Sequence, residues 1–170
     1  MQAPGLLKPA AESADPKAFT PRRRYTLTPA ADLAVFYAAD AARFVGKGCQ
    51  DVLDVVTPAA FTHFYASCPS IGFACDGQAI GGVIFDGEKA HIAVQAEHHG
   101  RWAFLLRPAC DWLFRLNPRM LIDIEPDNHL CIRFMDRNGW TRIETPGAPP
   151  GTSLTFLMTP QHGERWRRGR

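Results

Sequence analysis

Two Asp-Gly pairs, Asp76-Gly77 and Asp86-Gly87, cut the apolar stretch between Ser70 and Gly100 into three short runs. Asp-Gly between apolar runs is a strong hairpin signal, because both residues tolerate the positive φ that tight hairpin turns demand. The stretch predicts three antiparallel strands: Ile71–Cys75, Ala79–Phe85 and Lys89–Ala96. Gly81-Gly82 inside the middle run predicts a bulge or a close backbone approach.

Two helical patterns precede this meander. Arg24–Leu27 reads as a first strand, and Thr28-Pro29 as a helix start with a hydroxyl cap and proline at the first helical position. Leu33, Phe36, Tyr37, Ala41 and Phe44 give that helix an apolar face, and Gly46-Lys47-Gly48 stops it. These glycines do not form a phosphate loop of the GxxxxGK[ST] kind. Val52–Val56 predicts a short helix, and Thr57-Pro58 repeats the cap-plus-proline signal. Phe61, Phe64, Tyr65 and Cys68 then recur at helical spacing and read as core, with His63 off the stripe and solvated.

A third helix is predicted over Arg101–Leu116, with Trp102, Leu105, Leu106, Ala109, Trp112, Leu113 and Leu116 on one face. Pro108 falls inside that pattern and either kinks the helix or marks its real start. Asn117-Pro118 ends it. Met120–Glu144 reads strand, turn, helix, strand: an apolar run to Ile124, a break at Pro126-Asp127-Asn128, helical spacing through Leu130, Cys131, Phe134 and Met135, and a stop at Asn138-Gly139. After a Pro/Gly-rich loop from Thr145 to Gly151, Ser153–Met158 is the last strand.

At 170 residues, with 46% hydrophobic and 21% charged residues, the chain has room for one full core. No apolar run is long enough for a membrane helix, and the N-terminus lacks a signal-peptide core. Five cysteines without a CxxC pair read as reduced core thiols of a cytoplasmic protein. Charge is unevenly spread. Residues 1–24 carry five cations against Glu12 and Asp15, and residues 163–170 carry four arginines against Glu164. With a net charge of +2 overall, the body between them is acidic. The expected layout is an extended basic arm over 1–23, a domain over 24–158 and a basic tail over 159–170, the arms suited to anionic surfaces or acidic neighbouring subunits.

The segment from Asn128 to Trp140 resembles the last helix of the GCN5-related N-acetyltransferase (GNAT) superfamily: Asn128 opens it, Cys131 is the small residue three places on, and Gly139 and Trp140 close it. The order of two helices, meander, helix, strand, helix and strands also matches. The resemblance implies an α/β fold with a mixed, mostly antiparallel sheet of six or seven strands and helices on both faces. It implies an acetyl-CoA-dependent N-acetyltransferase acting on a small-molecule or protein amine. The third meander strand, with Ile92 and Val94, would pair with the pantetheine amides, and Asn128 would join the cofactor site. The family's loop pattern, Gln/Arg-x-x-Gly-x-Gly/Ala, appears here as Glu97-His98-His99-Gly100-Arg101-Trp102. Gly100 is kept and Arg101 is cationic, whereas Glu97 is acidic and Trp102 is bulky where the family has almost no side chain.

His91 and Glu97 are the positions for a base that takes the amine proton. His98-His99 with Glu97 reads as a solvated loop rather than a metal site, because neighbouring histidines in an extended segment point apart. The resemblance also sets Phe64 and Tyr65 beside the acceptor pocket, an alternative to their core reading. One departure bears on activity: Met135 stands where the family usually has a tyrosine that protonates the departing thiolate. The same segment also resembles degenerate GNAT-like proteins of tailed bacteriophages. The alternative expectation is therefore a catalytically inactive structural component of a virion, docked through the basic arms, in which acetyl-CoA binding has been lost.

Overall fold

The computed structural model describes residues 23–46, 50–143, 149 and 153–160. The basic arm before Arg23, the tail after Pro160, Cys49 and most of the 145–151 loop lie outside them. Within them, four strands form one antiparallel sheet in the order β1-β2-β3-β4: β1 Tyr25–Thr28, β2 Ser70–Cys75, β3 Gln78–Phe85 and β4 Ala90–Val94. Three more form a second sheet in the order β5-β7-β6: β5 Met120–Ile124, β6 Thr141–Ile143 and β7 Leu154–Met158. The sheets meet at one parallel bridge, Lys89 to Leu121, just before β4 and inside β5. From that bridge β4 and β5 run in the same direction without pairing further, so the sheet is split.

Among the described residues there are five α-helices: α1 Leu33–Ala41, α2 Gln50–Val55, α3 Pro58–Tyr65, α4 Leu106–Leu116 and α5 His129–Arg137. Residue alternation along β3 and β4 assigns the faces. Val83 and Val94 join the larger apolar cluster with Leu106, Ala109 and Leu113 of α4 and Met135 of α5. Their neighbours Ile84 and Ala93 join a smaller cluster with Phe36 of α1 and Phe61 of α3. The fold is thus the α/β architecture expected, with seven strands in two antiparallel sheets and helices on both faces.

Local chemistry explains where the elements begin. Thr57 Oγ1 accepts from Ala60 N–H at 3.2 Å with Pro58 first in α3, as the sequence signal predicts. The same signal at Thr28-Pro29 does not start a helix. Thr28 is the last residue of β1, paired with Gly72, and its hydroxyl donates to the Ala30 carbonyl. Asp32 is the cap instead, its Oδ1 accepting from Ala34 and Val35 N–H at 3.0 and 3.1 Å. The first helix ends at Ala41, with turns through Gly46, before the glycine pair assigned as its stop. The third helix also starts later than its apolar pattern suggests. A 3-10 turn over Ala103–Leu105 precedes α4, which puts Pro108 in the first helical turn, where its missing N–H costs nothing.

The two sheets are clasped where they touch. Lys89 Nζ lies 2.5 Å from Asp123 Oδ2 of β5, and Asp123 Oδ1 accepts from Thr155 Oγ1 of β7 at 2.7 Å. Burial favours a neutral Asp123, but the hydrogen bonds from Lys89 and Thr155 outweigh it and lower its pKa. A carboxylate held below its ordinary value stabilises the fold above that value and stops doing so as pH falls through the lowered one. Asp123→Asn should therefore cost up to about 1 kcal/mol at neutral pH, the range of a partly exposed ion pair. Urea unfolding at pH 7 and pH 3 checks it: the gap between variant and parent should shrink at pH 3.

Candidate functional site in the split between β4 and β5

Because β4 and β5 run parallel, the loops that follow them open at the same end of the split. Ligands of open α/β sheets bind at such places, outside the carboxyl ends of diverging strands. Residues 95–105 follow β4, and residues 125–128 follow β5.

The β4 edge presents backbone groups to the split. Gln95 N–H bonds to the Ile80 carbonyl on β3. Backbone polarity alternates along a strand, so Ala93 and His91 also face β3, and Val94 and Ile92 face the other way. The Val94 carbonyl confirms this direction, since it accepts from His99 Nε2 at 2.8 Å and not from β3. Ile92 and Val94 thus turn their backbone groups away from β3 and toward the split. A bulge helps set the register. Ile80 is extra between the pairs Phe73–Gly81 and Ala74–Ala79, and Gly81 has φ +141°.

The loop after β4 is held by its histidines, which turn to different partners. His98 is buried and its Nδ1 lies 3.2 Å from the Tyr25 hydroxyl on β1, while His99 reaches back to Val94. Trp102 stacks on Phe73 of β2 at 5.1 Å, with β3 between it and β4. Its ring is drawn toward the first sheet's core and away from the split, a place the sequence does not reveal. Gly100 has φ +76° and open space around it, so it serves the left-handed turn. Among the described residues the N–H groups of Gly100, Trp102 and Ala103 meet no acceptor. Such a row of N–H groups ahead of a helix suits an anion. Glu97 and Arg101 are both exposed. Asn128 begins α5, its Oδ1 accepting from Cys131 N–H at 3.2 Å.

The two proton-acceptor positions do not come together. Glu97 lies beyond the end of β4, whereas His91 is near its start, on the face covered by α1 and α3. There His91 Nε2 is 2.7 Å from Asp86 Oδ2, and its ring meets the Tyr65 ring at 5.5 Å, edge to face. Phe64 is 66% exposed with its ring against Tyr65, so its core assignment fails and Tyr65 and Phe61 do the packing.

Asp40 of α1 joins this group. Burial is the main cause that raises its pKa, and Glu125 adds to it, while Arg43 and His91 pull the other way. Arg43 spans Asp40 at 3.2 Å and Glu125, just past β5, at 2.9 Å, so α1 is tied to the far side of the split. Asp40 was missed from sequence, yet a signal existed. It falls on the stripe Leu33, Phe36, Tyr37, Asp40, and a carboxylate on an apolar stripe needs a reason.

Met135 is 2% exposed within the larger core cluster. One turn before it, the half-buried Cys131 thiol is pushed up by burial and by Glu125. Cys110 is pushed up to about 12, chiefly by burial, and is chemically quiet at neutral pH. Among the described residues no three His, Cys, Asp or Glu side chains gather as a metal site, and no helix is long and apolar enough to cross a membrane.

Solved structures share this architecture. A putative acetyltransferase of Acinetobacter baylyi matches with a TM-score of 0.57 and 12% identity, over 81% of this chain and 94% of its own. An N-acetyltransferase of Staphylococcus aureus matches at 0.58 and 13%, over 79% and 95%. The Salmonella typhimurium yncA, a putative acetyltransferase solved with acetyl-CoA, matches at 0.53 and 20%, over 79% and 93%. No protein-family model matches the chain, and no curated protein matches it. At these identities the likeness is one of fold: the chain has the fold of the GNAT acetyltransferases.

Proposed function

We propose that the protein is an acetyl-CoA-dependent N-acetyltransferase acting on an amine of a small molecule or a protein. The observation that carries this reading is the split itself: the outward backbone of Ile92 and Val94 leads into a glycine turn with unpaired N–H groups. The residues fit the group. The backbone of Ile92 and Val94 turns away from β3 toward the pantetheine amides, with the Val94 carbonyl already engaged by His99 Nε2, and the N–H groups of Gly100, Trp102 and Ala103, with Arg101 nearby, suit the pyrophosphate. Asn128 borders the same opening. Acetyl-CoA supplies an acetyl group activated as a thioester. His91 accepts the amine proton in this reading, with Asp40 beside it to attract a cation. Glu97, exposed beyond β4, is the other position from which a base could act through water.

A second reading is favoured by Met135. A buried thioether in the larger core offers no proton to a leaving thiolate. This fits a non-catalytic structural component of a phage particle, held by the basic arms, and would place the protein in a virion rather than the cytoplasm. Isothermal titration with acetyl-CoA and CoA separates the two. The enzyme reading expects saturable binding somewhere between about 1 μM and 1 mM, the span of ordinary Michaelis constants. No binding at millimolar cofactor would sink it and leave the structural reading.

A further inference from the structure

We infer that Asp86 is a positioning residue for His91, holding the imidazole in the one tautomer that leaves Nδ1 basic; the inference rests on the acetyltransferase reading above. Asp86 lies in the turn between β3 and β4, where the sequence assigns it only a hairpin role. That role is real but occupies a single oxygen. Oδ1 accepts from Glu88 N–H at 2.9 Å and Lys89 N–H at 2.7 Å, which fixes the carboxylate plane. Oδ2 is left over and lies 2.7 Å from His91 Nε2.

A carboxylate accepts only, so a neutral His91 must carry its proton on Nε2. Nδ1 then holds the lone pair, and it has no partner among the described residues. The ring is further fixed by Tyr65 of α3 at 5.5 Å. Charged groups near it come from three elements: Asp86 from the turn, Asp40 from α1 and Asp123 from β5. Burial tends to raise the pKa of Asp86, but the bonds from His91, Lys89 and Glu88 prevail and keep the carboxyl ionised.

The transfer forms an N–C bond to the acetyl carbonyl carbon and breaks its C–S bond, and CoA leaves as a thiolate that takes its proton from solvent. The proton lost by the amine goes to Nδ1, and Asp86 stabilises the imidazolium that results. This is the logic by which an aspartate holds the histidine of a hydrolase triad, arising here from a hairpin turn.

Asp86→Asn tests it. The amide oxygen should stay on the two turn N–H groups, and the amide nitrogen then donates to Nε2. His91 is forced into the opposite tautomer, with its proton on Nδ1. Long-range 15N–1H correlation spectra should show Nε2–H in the parent and Nδ1–H in Asp86→Asn. Turnover of acetyl-CoA with a primary amine should fall about 100-fold to 10,000-fold in kcat, with KM for the amine within about twofold, because a base in the wrong tautomer loses up to its whole contribution. Asp86→Glu should restore the parent tautomer. An unchanged tautomer in Asp86→Asn would overturn the assignment. So would Nδ1–H in the parent, which needs no variant to fold. The NMR readout needs no activity, so failure of acetyl-CoA to bind would sink the transferase reading separately from the tautomer.

Discussion

Gly81→Ala should lower stability by about 3 kcal/mol or more, above the usual range for a single substitution. Two causes add. Gly81 has φ +141°, a conformation that side chains rarely adopt, and a Cβ built there would lie 2.0 Å from the Ala93 carbonyl oxygen and 2.8 Å from Val94 Cα. Both clashing atoms are backbone of β4, so no rotamer change relieves them. The strand must move or the bulge must unwind. Gly100→Ala is the control, since its φ is +76° but nothing lies within 4 Å of the added Cβ. It should cost only about 1 kcal/mol, the backbone penalty without a clash. Thermal melts should show a midpoint drop of about 10 °C for Gly81→Ala against about 3 °C for the control. The position matters for function too, because Gly81 pairs with Val94 and fixes the edge that faces the split. A displaced β4 should weaken acetyl-CoA binding even in the fraction that stays folded.

Gly81 also shows what the chain makes legible. Two adjacent glycines in an apolar strand announce a bulge or a close approach, and Gly81 serves both. The Met120–Glu144 stretch was legible for a similar reason. Its break at Pro126, its cap at Asn128 and its stop at Gly139 are all local, and β5, α5 and β6 begin and end within a few residues of them. Thr28-Pro29 misled because the same dipeptide suits a strand end, and pairing with Gly72 is a long-range fact. Phe64 misled for a related reason. An aromatic residue on a helical stripe reads as core, but which surface meets it depends on elements far away in sequence. Trp102 finds Phe73 on β2, and Phe64 is left in solvent. The site follows the same division. Ile92, Val94, Gly100 and Arg101 lie close together along one strand and the loop after it, so a local motif can point to them. The His91 surroundings come from α1, α3, the β3–β4 turn and the end of β5, and no spacing in the chain encodes that meeting.

Replacing His91 by alanine should lower kcat for acetyl transfer to a primary amine by about 100-fold to 10,000-fold, the usual contribution of a positioned base. Affinity for acetyl-CoA should change less than about twofold. The reasoning turns on where His91 sits. Its side chain lies on the α1 and α3 face with Asp40, Tyr65 and Asp86. The groups proposed to hold the cofactor are the outward backbone of β4 and the N–H groups of the following loop, none of which His91 supplies. Chemistry and cofactor binding are therefore separable by one substitution. Fold stability should fall by no more than about 1 kcal/mol, because the pair with Asp86 is partly exposed at 34% and 22%. Steady-state kinetics with titration calorimetry on the same sample measures all three. A variant that binds acetyl-CoA and still turns over at the parent rate would remove His91 from the mechanism. Proton acceptance would then fall to Glu97, and Glu97→Gln would have to show the loss instead. If both variants keep full activity, the amine must enter already deprotonated. The carboxylate of Asp40 then has no substrate cation to attract beyond its own partner Arg43, and Asp40→Asn should leave KM for the amine unchanged.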